Sequence, residues 1–178
     1  MLLTATAGRS TISIHFWNLA EYVGGNLVGD WVDLDECVDF EDFQRKVMEA
    51  TKNAEELILG DYESEFGVDL GFGEYPNLDT VWELHTKLSE IDEDDRDAFA
   101  DYLAYHGGVS YLESALSEWQ DRYCGRWNSL EDYALDFASD VYSEFFKNVP
   151  PGFMVEVDTA AWECDHWISD NGHVFRCF

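Results

Sequence analysis

Basic side chains are scarce: ten Lys and Arg in 178 residues, against 38 Asp and Glu. Recognition of nucleic acid through its phosphates needs basic stripes. Ten dispersed bases under a formal net charge of −28 exclude direct nucleic-acid binding. The scarcity is not local, because residues 1–96 hold 23 acids and six bases, and residues 97–178 hold 15 and four. No apolar run approaches the ~18–20 residues of a membrane span. The opening MLLTATAGRSTIS has no basic n-region, so no signal peptide is expected, and residues 1–10 read as a loose leader. The four cysteines (Cys37, Cys124, Cys164, Cys177) are widely spaced with no CxxC, which fits free, mostly buried thiols in a reducing cytoplasm. There is no GxSxG, HExxH, P-loop or GxGxxG. The expectation is therefore a protein that is not an enzyme, with no catalytic residue and no cofactor.

No metal is expected either. Cys164, His166, His173 and Cys177 are zinc-ligand types near the last predicted hairpin, and Cys164-x-His166 would share one strand face. Their spacing matches no familiar zinc pattern. The acid runs at 33–42 and 91–97 lack the glycine and terminal glutamate of an EF-hand. His15, His85, His106 and His166 sit within amphipathic elements, where a structural histidine is the commoner outcome. With 38 acids, chance carboxylate pairs are everywhere and do not single out an acid/base dyad.

What is abundant besides acid is apolar surface: 46% hydrophobic residues, with seven Trp, nine Tyr and twelve Phe. That suffices for a core. TISIHFW (11–17) alternates as a strand and LVGDWVDL (27–34) as a second, with the turn signal GGN between them, which predicts a hairpin. Asp39 can cap a helix through FEDFQRKVMEA with an apolar face of Phe40, Phe43, Val47 and Met48. ELILGDYES (56–64) reads as a third strand. Gly67, Gly71, Gly73 and Pro76 then mark a loop and a subdomain boundary. Two helices follow, NLDTVWELHTKLSEI and DRDAFADYLAYH, the second stopped by Gly107-Gly108. Ser110 and Glu113 form a capping box for YLESALSEWQDRY, and Ser129 can cap a helix that runs to Lys147. The tail reads as β: FMVEV, AWECDHWIS and HVFRCF, the last two joined by the turn Asp170-Asn171-Gly172.

LEDYALDFASDVYSEFF (130–146) carries five acids and no base. Read as one helix, it sets Asp132, Asp136, Asp140 and Glu144 at four-residue spacing, opposite Leu130, Tyr133, Ala134, Phe137, Val141 and Phe145. Like charges at i,i+4 cost roughly 0.2–0.5 kcal/mol per pair. Asp140 and Glu144 also face the negative end of the helix dipole. Local stability does not explain the row. Four residues rise about 6 Å, so the row spans about 18 Å and is too sparse to copy DNA alone. The whole net charge corresponds to about 48 Å of duplex, or about 14 base pairs.

ISIHFW followed by NLAEYVGGNLVGDWVDL (18–34) resembles the N-terminal signature of ArdA-type antirestriction proteins. DFEDFQRKV, GDYESEFGVDLGFGEYPNLDTVWEL, SYLESALSEWQDRY, LEDYALDFASDVYSEFF and WISDNGHVF resemble further segments in the same order, across about residues 11–178. The resemblance implies an α+β fold: an elongated chain of three small subdomains. These would be a β-sheet plus helix at 11–74, central helices at 75–108, and an α/β dimerisation region at 109–178. It also implies a cytoplasmic homodimer in a bacterial host, carried on a mobile genetic element. Such a protein mimics bent duplex DNA and blocks the DNA-binding groove in the methyltransferase core of type I restriction–modification enzymes.

The acids carried over as charge mimics are Asp61, Glu63 and Glu65; Asp92, Glu93, Asp94, Asp95 and Asp101; Glu113, Glu118 and Asp121; and Glu131, Asp132, Asp136, Asp140 and Glu144. Composition by itself leaves three alternatives: an acidic mimic of another DNA-binding protein's ligand; halophilic adaptation, which predicts salt-dependent folding; and a metal-dependent hydrolase, which predicts bound metal and melting that changes with EDTA.

Overall fold

The computed structural model describes residues 11–178, so the predicted leader lies outside the described residues. The fold is α+β, as the sequence predicts, with two three-stranded antiparallel sheets and several helices. The chain divides into two compact units, one ending at Leu112 and the other running from Glu113 to Phe178.

The first unit is built on β1 (Ile12–Asn18), which lies between β2 (Gly29–Asp33) and β3 (Leu57–Ser64). Alternation sends Ile12, Ile14 and Phe16 to one face, where all three are fully buried. Helix α2 (Phe40–Ala50) covers that face with Phe43 and Val47. Asp39 caps α2 as predicted, its carboxylate accepting from Asp42 N at 2.8 Å. Phe43 lies 6.4 Å from Phe16 and stacks at 5.7 Å on Trp82 of α3 (Leu78–Glu90). Each such side chain contributes roughly 1.5–3 kcal/mol by leaving water. Helix α4 (Glu93–Tyr105) follows and ends at Gly107, whose φ of 99° lies in the left-handed region.

The loop at 65–77 is more than a linker. Phe66, Leu70 and Phe72 are buried, and Leu70 O accepts from Val109 N at 2.8 Å. A Cβ at Gly108 would lie 2.3 Å from Leu70 O, so only glycine fits this approach.

In the second unit, α5 (Leu112–Arg122) leads into β4 (Tyr123–Arg126), and α6 (Leu130–Val141) into α7 (Ser143–Lys147). A short helix α8 (Thr159–Trp162) precedes β5 (His166–Ile168) and β6 (His173–Arg176), and the sheet order is β4-β6-β5. Leu130, Tyr133 and Val174 form one buried cluster, with Cys124, Trp127, Trp162 and Ile168 packed on it.

The structure corrects several local expectations. The first hairpin's connection contains an extra helical turn, α1 (Leu19–Val23), capped by Asn18. Ser110 lies inside a 3-10 turn (Gly108–Tyr111), and its hydroxyl donates to Gly107 O. FMVEV is irregular, and the strand beside β6 is β4 instead. AWECDHWIS is part helix: Asp158 caps α8, and only His166–Ile168 pairs with β6. Cys164 therefore does not share a strand face with His166. The predicted helix to Lys147 breaks at Tyr142 (φ −110°, ψ 37°), which ends α6 and starts α7.

Candidate functional site

The basic side chains show how the charge is arranged. Arg45 pairs with Asp42 and, at 2.7 Å, with Glu49, holding the Asp42 carboxyl below its ordinary range, first through the Arg45 hydrogen bond. Lys87 meets Glu90 at 2.9 Å, Arg122 meets Glu118 at 3.7 Å, and Lys147 meets Glu144 at 2.7 Å. All of these are neighbours within one helix. Four other cations among the described residues donate to backbone carbonyls. Lys46 donates to Glu36 O, Arg96 to Ile91 O and Ser89 O, Arg126 to Asn171 O, and Arg176 to Asp121 O. Most cationic heads are thus taken up locally, and few carboxylates receive one.

Of the sixteen acids singled out from sequence, thirteen are exposed. Asp95 and Glu118 are half-buried, and Glu118 is offset by Arg122. Asp101 is a correction: it is only 3% exposed. Residues 98–103 of α4 are all buried, so the helix has no solvent face at that turn and Asp101 cannot belong to an acidic surface. Glu144 is a second correction. The break at Tyr142 removes it from the α6 row, and Lys147 offsets its charge.

The row that remains is Asp132, Asp136 and Asp140, spanning about 12 Å. All three are exposed, with no ion pair among the described residues. Successive members turn about 40° around the helix, so Asp140 lies nearest the apolar stripe.

The first unit gathers more acid than sequence spacing revealed. Glu93, Asp94 and Asp95 occupy the first turn of α4, where the helix dipole favours them. The Glu65 carboxyl is pushed up, first by burial, then by Asp97, Asp35 and Glu93, with Arg96 opposing. Asp35 lies 3.6 Å from His85 Nδ1, whose ring burial holds its pKa below the ordinary value despite Asp35 and Asp33. Sequence reasoning passed over Asp33, Asp35 and Asp97 because they converge only through the ends of β2, β3 and α4. On the sheet, register sets Asp61 beside His15 and Glu63 beside Ser13.

The second unit holds a cavity of about 520 Å³ lined by Tyr123, Tyr133, Phe137, Trp162 and His166, with Asp165 and Arg176. Burial lowers the His166 pKa and pushes the Tyr133 hydroxyl up to about 12. Among the described residues, no group of three or more His, Cys, Asp or Glu is placed to hold a metal ion. His166 and His173 sit at opposite ends of their hairpin, opposite Arg176 and Arg126 respectively.

Beyond the cavity runs an apolar strip. The α6 stripe begins buried at Leu130, Tyr133 and Ala134, then emerges with Phe137 at 45% and Val141 at 56% exposure. Tyr142, Phe145, Phe153 and Met154, later in the chain, are exposed as well.

Residues 14–176 match the family model described as antirestriction protein (ArdA), which is nearly the whole chain. No curated protein matches the chain.

Proposed function

The chain belongs to the ArdA antirestriction family, which implies activity against type I restriction enzymes, and we propose that it acts as a mimic of duplex DNA. Its exposed carboxylates occupy the DNA-binding groove in the methyltransferase core of the restriction–modification enzyme and exclude DNA from it. The observation that carries this reading is the division of charge: cationic heads go to helix neighbours and carbonyls, and thirteen of the sixteen chosen acids face water. A DNA-binding groove grips its ligand through Lys and Arg. A folded acidic surface meets those groups without first ordering a flexible tail.

The protein acts as a cytoplasmic homodimer, binding neither nucleic acid nor membrane. The exposed strip from Phe137 to Met154 is the apolar face that a second copy covers, since such patches on soluble chains mark interaction surfaces. The division into segments 11–74, 75–108 and 109–178 belongs to the same reading, with the last segment dimerising.

Displacement tests the proposal. A purified type I methyltransferase bound to labelled duplex DNA releases that DNA when the protein is added. Absence of release at micromolar excess contradicts the proposal for that enzyme.

A further inference from the structure

The first sheet has two faces, and among the described residues one lies under a helix while the other is open. The inner face of β1 lies under α2, while Ser13, His15 and Trp17 alternate to the other side. Register fixes their neighbours on that open face. His15 stands between Trp31 of β2 and Asp61 of β3, and Ser13 has Glu63 beside it.

The aromatic side chains there form a buttressed row. A Cβ at Gly60 would lie 2.4 Å from Trp17 Nε1, and one at Gly29 would lie 2.8 Å from Trp17 Cε3. The indole of Trp17 thus rests across two glycines on flanking strands. Gly60 is also the residue skipped where the β1–β3 register shifts. His15 leans on Trp17 at 4.3 Å, and Trp31 meets His15 edge-on at 5.4 Å. Trp31 ends the row and remains 42% exposed. Asp61 and Glu63 are exposed on the far strand with no ion pair among the described residues.

Resting on the proposed function above, we infer that this open face is a docking platform for an arginine of the partner's basic groove, with Trp31 as its stacking surface and Asp61 and Glu63 as its carboxylates. Charge complementarity selects the occupant. An apolar segment laid here would strip water from two unpaired carboxylates, at a large cost. A guanidinium satisfies both parts of the surface, because it is planar, stacks on indole and donates to carboxylates. The glycine-seated row holds Trp31 in place before the partner arrives, so little ordering is required on binding. Here the protein offers more than imitation phosphates: an aromatic contact that a DNA backbone does not possess.

The test compares three forms of the full-length protein against a purified type I methyltransferase: wild type, Trp31→Ala, and Asp61→Asn combined with Glu63→Gln. Circular dichroism and melting confirm that each is folded, and Trp31→Phe serves as the conservative form. Trp31→Ala weakens binding about tenfold, equally at low and high salt, and Trp31→Phe recovers most of the loss. The carboxamide pair weakens binding at low salt, and its deficit fades by about 0.5 M salt, where exposed charges are screened. If folded Trp31→Ala binds as wild type, or changes only the oligomeric state, the platform is wrong and the proposed function stands. If wild type itself fails to displace DNA, the proposed function is wrong.

Discussion

The two units enclose the same kind of composition to different extents. The first holds most of the enclosed apolar residues: of the 28 buried ones among the described residues, 21 lie at or before Leu112. The second encloses seven, and among the described residues each unit leaves seven large apolar side chains exposed, between Tyr22 and Tyr105 in the first and between Phe137 and Phe178 in the second. Both carry exposed carboxylates. In the first unit these stand over a closed core, which makes the charged surface rigid. In the second, the α6 stripe outruns the core that its own unit supplies, so Phe137 and Val141 are left exposed. Exposed acid and exposed apolar side chains are therefore common to both units; the share enclosed, 21 against seven, distinguishes them.

Aromatic truncations should separate the two units most sharply. Phe43→Ala, in the core of the first unit, should cost about 3–5 kcal/mol in denaturant unfolding. Phe145→Ala in the second unit, exposed at 61%, should change the stability of the isolated chain by no more than about 0.5 kcal/mol. Comparable losses at both positions would show that the exposed strip is a core after all.

Phe137→Ser with Val141→Ser should instead act on association. Sedimentation should show wild type as dimer and the variant shifted to monomer, with far-UV circular dichroism unchanged. An unchanged sedimentation coefficient would assign the strip another role.

Smaller effects come from charge. Asp132→Asn with Asp136→Asn and Asp140→Asn removes two i,i+4 repulsions. This should stabilise α6 by roughly 0.2–0.5 kcal/mol per step while weakening partner binding. Calorimetry and melting should therefore move in opposite directions; a loss in both would mean the carboxylates hold the fold. Asp136→Asn alone should change little.

The smallest effects follow pH. His85 has a lowered pKa in the folded state, so its contribution to stability is present above its ordinary value of 6.5 and is lost as pH falls through the folded value. His85→Gln should flatten that part of the melting curve against pH. Glu65 is the reverse case. Its raised folded pKa means that ionisation opposes folding at neutral pH, so Glu65→Gln should give a small gain there that disappears in acid.

Much of the first unit was legible in the sequence. Alternation in TISIHFW, the Asp39 cap and Gly107 have direct physical counterparts in β1, α2 and the end of α4. The tail was less so, because its strands are three and four residues long and owe their existence to pairing. Tyr-Cys-Gly-Arg carries little β signal but finds β6, whereas FMVEV carries a clear one and pairs with no strand. The Tyr142 break has no proline or glycine to announce it. The acids divide likewise. The α6 row follows from helical spacing, whereas the burial of Asp101 depends on how completely α4 is enclosed. The convergence of Asp35, Glu65 and Asp97 depends on where three elements end.

The salt dependence of binding tests charge mimicry most directly. Calorimetric titration of the protein into a purified type I methyltransferase, repeated from about 50 to 200 mM salt, gives the slope of log affinity against log salt. Mimicry of duplex DNA predicts a steep negative slope, approaching that of the same enzyme with DNA. A slope near zero, with tight binding retained across the range, would contradict it.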